Sequence, residues 1–233
     1  MIPSSSTFPP TLREYFLLDP SAVFTSTRII MTSELVHDCI RNDLLCRLRW
    51  NLLADLHNIE IVVGPKNEEK TVPLFDHPSA NDDISEPGLS RIEVNSRECL
   101  EKFYLSYDSD PEPDGYRPPP SLIVSNEDGR SITLRQFVTV VHAYLNEHLD
   151  EVKSAQRVMA GTPWSETMLF YRRAWPRRTD GGNIIVNVEL MPHARDADFI
   201  EKLWAAQLIQ AHAYEQRRRA WAPRNASSAL TFF

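Results

Sequence analysis

The stretch SLIVSNEDGRSITLRQFVTVVHAYLNEH, residues 121–148, constrains the fold more than any other part of the chain. Leu122–Val124 is a short β-forming run. Asn126-Glu127-Asp128-Gly129 supplies turn chemistry, because glycine tolerates positive φ and Asn and Asp bond their own backbone. Thr133 and Gln136 stand three apart and predict a capping box, flanked by Ile132 and Phe137 as a hydrophobic staple. Leu134, Phe137, Val138, Val141, Leu145 and Leu149 then recur at helical spacing. A strand, a turn and a helix with one apolar face must be buried against a further layer.

The next segments supply that layer. MLFYRRAWPRR, Met168 to Arg178, is strand-like and aromatic-rich, and Thr179-Asp180-Gly181-Gly182 reads as a hairpin turn. Ile184, Val186, Val188 and Leu190 alternate with Ile185, Asn187 and Glu189, as in a half-buried antiparallel strand. Asp198 and Glu201 form an Asp-led capping arrangement for a helix running to about Trp221. That helix is apolar around most of its circumference (Phe199, Leu203, Trp204, Leu208, Ile209, Tyr214), which points to sandwiching or self-contact.

Upstream, Ser33 to His57 contains no Gly or Pro and predicts a long helix capped by Thr32 or Ser33. NIEIVVG, Asn58 to Gly64, reads as a strand ended by glycine, and residues 65–90 as a loop. Arg91 to Tyr107 is ambiguous between strand and helix, with a helix favoured from about Ser96. The acidic, proline-rich DSDPEPDGYRPPP, residues 108–120, reads as an extended connector. The expected class is α+β. A helical N-terminal part with a short strand precedes a β-turn-α-β-β-α layer with helices on an antiparallel sheet. The expected organisation is a tail at 1–10, a helical or mixed region at 11–107, the connector, an α+β module at 121–222, and a tail at 223–233.

The 233 residues include only 7 glycines against 17 prolines. Phosphate-cradling loops need glycines for close backbone approach, and no G-x-G-x-x-G or G-x-x-x-x-G-K-[ST] motif is present. G-x-S-x-G and H-E-x-x-H are likewise absent. No cofactor or metal is therefore expected. Cys39, Cys46 and Cys99 are too few and too irregularly spaced for a disulfide frame or a zinc knuckle, and fit a reducing compartment. MIPSSSTFPP lacks the basic and apolar regions of a secretory signal. No apolar run approaches the length of a membrane span. A cytoplasmic location is expected, with the nucleus as the alternative.

Charge is unevenly spread. Lys153–Phe233 holds 12 Lys+Arg against 7 Asp+Glu, a net +5, which leaves −12 of the chain's −7 total for the 152 residues before it. An acidic front and a basic back can pair within one chain, and that reading competes with nucleic-acid binding.

The run PPSLIVSNEDGRSITLRQFVTVVHAYLNEHLDEV, followed by the aromatic strand, the D-G-G turn and the helix KLWAAQLIQAHAYEQ, resembles a family of uncharacterised proteins of filamentous fungi. In that family an xGxxITxxxFVxxVHxYLN block precedes a two-stranded segment and a helix ending in Y-E-Q. The similarity spans about residues 118–216. It implies a fungal, soluble, intracellular accessory protein of the kind found beside specialised-metabolite pathways, and it carries no catalytic residues across.

Several residues are candidates for chemistry. His142 is a candidate acid/base, with Tyr144, Tyr171 and Asp198 as partners in an isomerase or cyclase acting on a hydrophobic metabolite. His142 and His148 lie about 240° apart around a helix and cannot share a ligand. Arg172, Arg173, Trp175, Arg177, Trp204, Arg218 and Trp221 form the candidate ligand or partner surface. Arg172 and Arg173, as strand neighbours, are expected on opposite faces, with one of them paired to Glu189 or another acid. The leading expectation is a binding function toward a protein partner, a small metabolite or a second copy through the last helix. Cofactor-independent acid/base catalysis and, less favoured, nucleic-acid binding through the Arg/Trp clusters are the alternatives. No membrane partner is expected.

Overall fold

The computed structural model describes residues 39–109, 115–160, 168–193 and 197–228. The fold is α+β. Its first elements are α1 (Asn42–Leu45), β1 (Leu48–Arg49), β2 (Glu60–Val63) and β3 (Lys70–Pro73), and β1-β2-β3 form an antiparallel sheet. β4 (Arg91–Ser96) leads directly into α2 (Arg97–Ser109). Then come β5 (Leu122–Ser125), α3 (Leu134–Glu147), α4 (Leu149–Ala160), β6 (Met168–Arg178), β7 (Ile184–His193) and α5 (Ala197–Ser228).

The second sheet has the order β5-β4-β7-β6. The β6–β7 hairpin is antiparallel, as expected; β4 and β5 also pair antiparallel, but β4 and β7 run parallel, so the sheet is mixed. β4 lies before the proline-rich connector and β5 after it, yet the two pair directly. Sheet and core are therefore continuous across residues 108–120. One apolar cluster runs from Ile40 to Leu190, with Trp50, Tyr171 and Phe137 its largest fully buried side chains.

The helix expected over Ser33–His57 does not form in its described part. Only Asn42–Leu45 is α-helical. From Cys46 to Leu52 the side chains alternate instead: Cys46, Leu48, Trp50 and Leu52 are buried while Arg47, Arg49 and Asn51 are not. Period-two burial belongs to extended chain. Trp50 and Leu52 accordingly join β6, where the Tyr171 N–H donates to the Trp50 carbonyl and the Leu52 N–H to the Leu169 carbonyl. The loop expected at 65–90 contains β3 and the 3₁₀ turns Leu74–Asp76 and Pro78–Asn81. Gly64 ends β2 at φ +101°, and a Cβ there would stand 2.7 Å from the Glu68 carbonyl oxygen, so glycine is required.

The 121–148 block folds as its residues dictate, with one difference. Gly129 takes φ +75° in the turn, and the Thr133 hydroxyl caps α3 by accepting from the Gln136 N–H. The reciprocal half of the capping box is replaced: the Gln136 side chain donates to Asn126 Oδ1 at 2.7 Å and pins the turn.

Helix α5 extends to Ser228, past the expected end at Trp221. Asp198 sits inside its first turn, not at the cap position. Leu203, Gln207 and Ala211 are buried, while Phe199 and Ile209 are exposed. The helix is therefore packed on one side only among the described residues.

Candidate functional site

A β-bulge decides the fate of the arginine-rich strand. In the β6–β7 ladder Tyr171 faces Leu190 and Arg173 faces Glu189, leaving Arg172 as the extra residue. A bulge sets two residues against one and breaks the alternation of faces. Arg172 and Arg173 therefore do not diverge. Both reach Glu189, at 2.8 Å each. Trp175 Nε1 donates to the same carboxylate at 2.6 Å, and Arg97 from α2 adds a bond at 2.9 Å. Arg173 also stacks over the Trp175 ring, 3.8 Å from its centroid. Burial pushes the Glu189 carboxyl up, but the bonds from Arg173 and Trp175 outweigh it and hold it below the usual carboxylate range. The bulge carbonyls of Tyr171 and Arg172 are taken by the buried Gln207 side-chain amide, at 2.8 and 2.6 Å. Gln207 thus docks α5 on the sheet. Of the expected surface residues, Arg172, Arg173 and Trp175 are held in this cluster.

The remaining members of that surface are dispersed. Arg177 is exposed near the hairpin. Trp204 packs edge-on against Phe170 and under the Arg49 guanidinium. Arg218 bonds Asp43 and Glu86. The side chain of Trp221 lies outside the described residues.

The expected acid/base group is partly assembled. Trp50 stacks between His142, with centroids 6.0 Å apart, and Tyr171, at 5.3 Å. The Trp50 indole N–H donates to His142 Nδ1 at 3.0 Å, which occupies the lone pair a base would use. Burial lowers the His142 pKa, and the carboxylate whose charge it feels is Asp55. Tyr171 is fully buried, which pushes its phenol well above the ordinary value. Tyr144 turns the other way: its hydroxyl donates to the Pro120 carbonyl at 3.0 Å and its ring meets His148. Burial raises its pKa to about 12. Asp198 is exposed at the start of α5. His142 and His148 contact different partners, as their angular separation requires.

Two features were not singled out from the sequence. The first is Glu98, in the first turn of α2 and 3% exposed. Its Oε1 accepts from the Leu190 N–H at 2.5 Å and its Oε2 from the Ser96 hydroxyl at 2.9 Å. Burial raises its pKa to about 7, against the pull of those bonds.

The second is a cleft of about 390 Å³ between α5 and the N-terminal body. Its charged lining comprises Arg41, Arg47 and Arg218 with Asp43, Asp82 and Glu215; His77 and Ser79 complete one wall. Asp43 receives Arg41 at 3.1 Å and Arg218 at 3.3 Å. Glu215 receives Arg47 at 3.1 Å and, outside the cleft, Arg219. Arg47 also reaches the Val62 and Gly64 carbonyls at the end of β2. Arg41 Nε is buried and has no bonding partner among the described residues. His77 Nδ1 accepts from the Ser79 N–H, so a neutral His77 presents its other nitrogen as a donor. The uneven charge seen in the sequence is partly resolved here, since Arg218 pairs with Asp43 and Glu86, and His212 with Glu69. The signal for this site was the alternating C-R-L-R-W-N-L run, which sends Arg47 and Arg49 to the face opposite the core.

Among the described residues, no group of three or more His, Cys, Asp or Glu is arranged to hold a metal ion. None of their helices is long and apolar enough to cross a membrane. No family model matches the chain, and neither the curated proteins nor the solved structures give a match.

Proposed function

We propose that this protein acts by binding a small zwitterionic ligand in the cleft between α5 and the N-terminal body. The observation that carries the reading is the lining: three arginines and three carboxylates converge on a cavity within the size range of small-molecule sites. A lone anion there meets three carboxylates and a lone cation three guanidiniums. A molecule carrying both signs can exchange partners with the ion pairs at both ends. Its anionic group would engage the Arg41 and Arg218 guanidiniums; its cationic group would engage Asp82 and Glu215. The charged lining favours such a ligand over the hydrophobic metabolite expected from the sequence. Binding is favoured over acid/base catalysis because the His142 lone pair is committed to Trp50. A fungal accessory role in the cytoplasm belongs to the same proposal and rests on the sequence resemblance alone.

The test is a thermal-shift screen of the full chain against matched sets of zwitterionic, anionic, cationic and apolar compounds. A ligand at a hundred times its Kd stabilises by about 2.7 kcal/mol, which is easily read as a rise in Tm. Zwitterions alone, or most strongly, are expected to raise it. A response confined to apolar compounds, or none from any charged compound, overturns the reading.

A further inference from the structure

We infer that α5 is also a self-association element, pairing antiparallel with α5 of a second copy of this chain. The helix buries Leu203, Gln207 and Ala211 against the body. Its opposite side presents Ile209 at 71% exposure, with Ala205, Ala206 and Ala213 exposed around it and Lys202 and Gln216 exposed seven residues to either side. Alanines flanking one branched side chain let two helix backbones approach closely while Ile209 fills the centre. These residues recur at the three- and four-residue spacing of a helix-packing seam.

Charge selects the occupant and the direction. Glu201 lies eight residues before Ile209 and Arg219 ten after it, and both fall on the same flank of the stripe. Both side chains face solvent, at 64% and 76% exposure. Glu201 makes only a long 3.8 Å contact to Arg49, and Arg219 pairs within the helix to Glu215. Equivalent flanks meet when two identical helices pair antiparallel. A two-fold axis near Gln210 then brings Glu201 of each copy opposite Arg219 of the other, at both ends of the contact. In a parallel arrangement the two charged flanks would lie on opposite sides of the contact and Glu201 would not meet Arg219, so the helix favours the antiparallel partner.

The experiment is sedimentation equilibrium on the full chain across the micromolar range, with circular dichroism to establish folding. The wild type is expected to show a monomer–dimer equilibrium. Ile209→Asp is expected to weaken it about 30-fold or more, equivalent to roughly 2 kcal/mol, with an unchanged far-ultraviolet spectrum because Ile209 is exposed in the monomer. Glu201→Arg and Arg219→Glu should each dimerise poorly alone, and an equimolar mixture should recover dimer, because each mismatched end becomes a matched one. A wild type that stays monomeric overturns the inference. So does a dimer indifferent to Ile209→Asp, or a mixture of the two charge variants that stays monomeric.

Discussion

Glu98→Gln should stabilise this protein at neutral pH, although it removes a carboxylate that makes two hydrogen bonds. The side chain is buried, and its pKa rises from 4.5 in the unfolded chain to about 7 in the fold. Below pH 4.5 both states hold the proton and the group contributes nothing to the pH dependence. Between pH 4.5 and 7 the unfolded state has lost the proton and the folded state still binds it. Stability therefore falls with rising pH, by about 1.4 kcal/mol per unit, and levels off above 7. Over that window the cost sums to about 3 kcal/mol. Glutamine mimics the protonated acid: its carbonyl accepts the Leu190 N–H and its amide donates to the Ser96 hydroxyl. Urea denaturation of wild type and variant from pH 4 to 8 isolates the group, because titrations common to both cancel in the difference. The variant's advantage should be small at pH 4, grow through 5 and 6, and plateau at about 3 kcal/mol by pH 8. A difference that stays constant with pH refutes the reasoning.

Four further variants follow from the same structure. Glu189→Gln removes the carboxylate shared by Arg97, Arg172 and Arg173, and should cost about 2–4 kcal/mol in denaturant melts, since the guanidiniums are partly solvated. Because the Glu189 pKa is lowered, its contribution is present above pH 4.5 and lost as pH falls through the folded value, so wild type and variant should converge in acid. His142→Ala orphans the buried Trp50 N–H and should cost about 1–3 kcal/mol, read by tryptophan fluorescence during unfolding. The depressed His142 pKa adds stability that is complete above pH 6.5 and declines below it, a slope the variant should lack. Thr133→Ala should cost about 1 kcal/mol as a lost cap. Gln136→Ala should cost a similar amount through the turn, and its effect should not add to that of Asn126→Ala in a double-mutant cycle.

Local rules were legible wherever neighbours in sequence were also neighbours in the fold. Thr133, Gly129 and the β7 alternation are such cases: each depends on contacts a few residues away, and each formed as its chemistry dictates. In the segment from Ser33 to His57 the apolar content suits a helix, but the period of burial from Cys46 to Leu52 is two. Cys46, Leu48, Trp50 and Leu52 alternate strictly with Arg47, Arg49 and Asn51, and that alternation was readable as extended chain. The site was less legible because its charges come from distant positions. Asp43 meets Arg218, and Arg47 meets Glu215, only after α5 crosses the N-terminal body. The bulge at Arg172 was hidden as well, since one extra residue leaves composition and approximate period unchanged while turning a side chain to the other face. Burial of Glu98 depends on α2 docking on β7, which no pattern within α2 announces.

Ligand affinity across cleft variants tests the central claim most directly. For the zwitterion that gives the largest thermal shift, isothermal titration calorimetry compares the wild type with Arg41→Ala, Arg218→Gln and the remote control Arg177→Ala. Binding is predicted to weaken by tenfold or more in the two cleft variants, each losing at least roughly 1.4 kcal/mol, and to be unchanged in the control. Equal affinity in all four proteins would contradict the assignment of the cleft as the binding site.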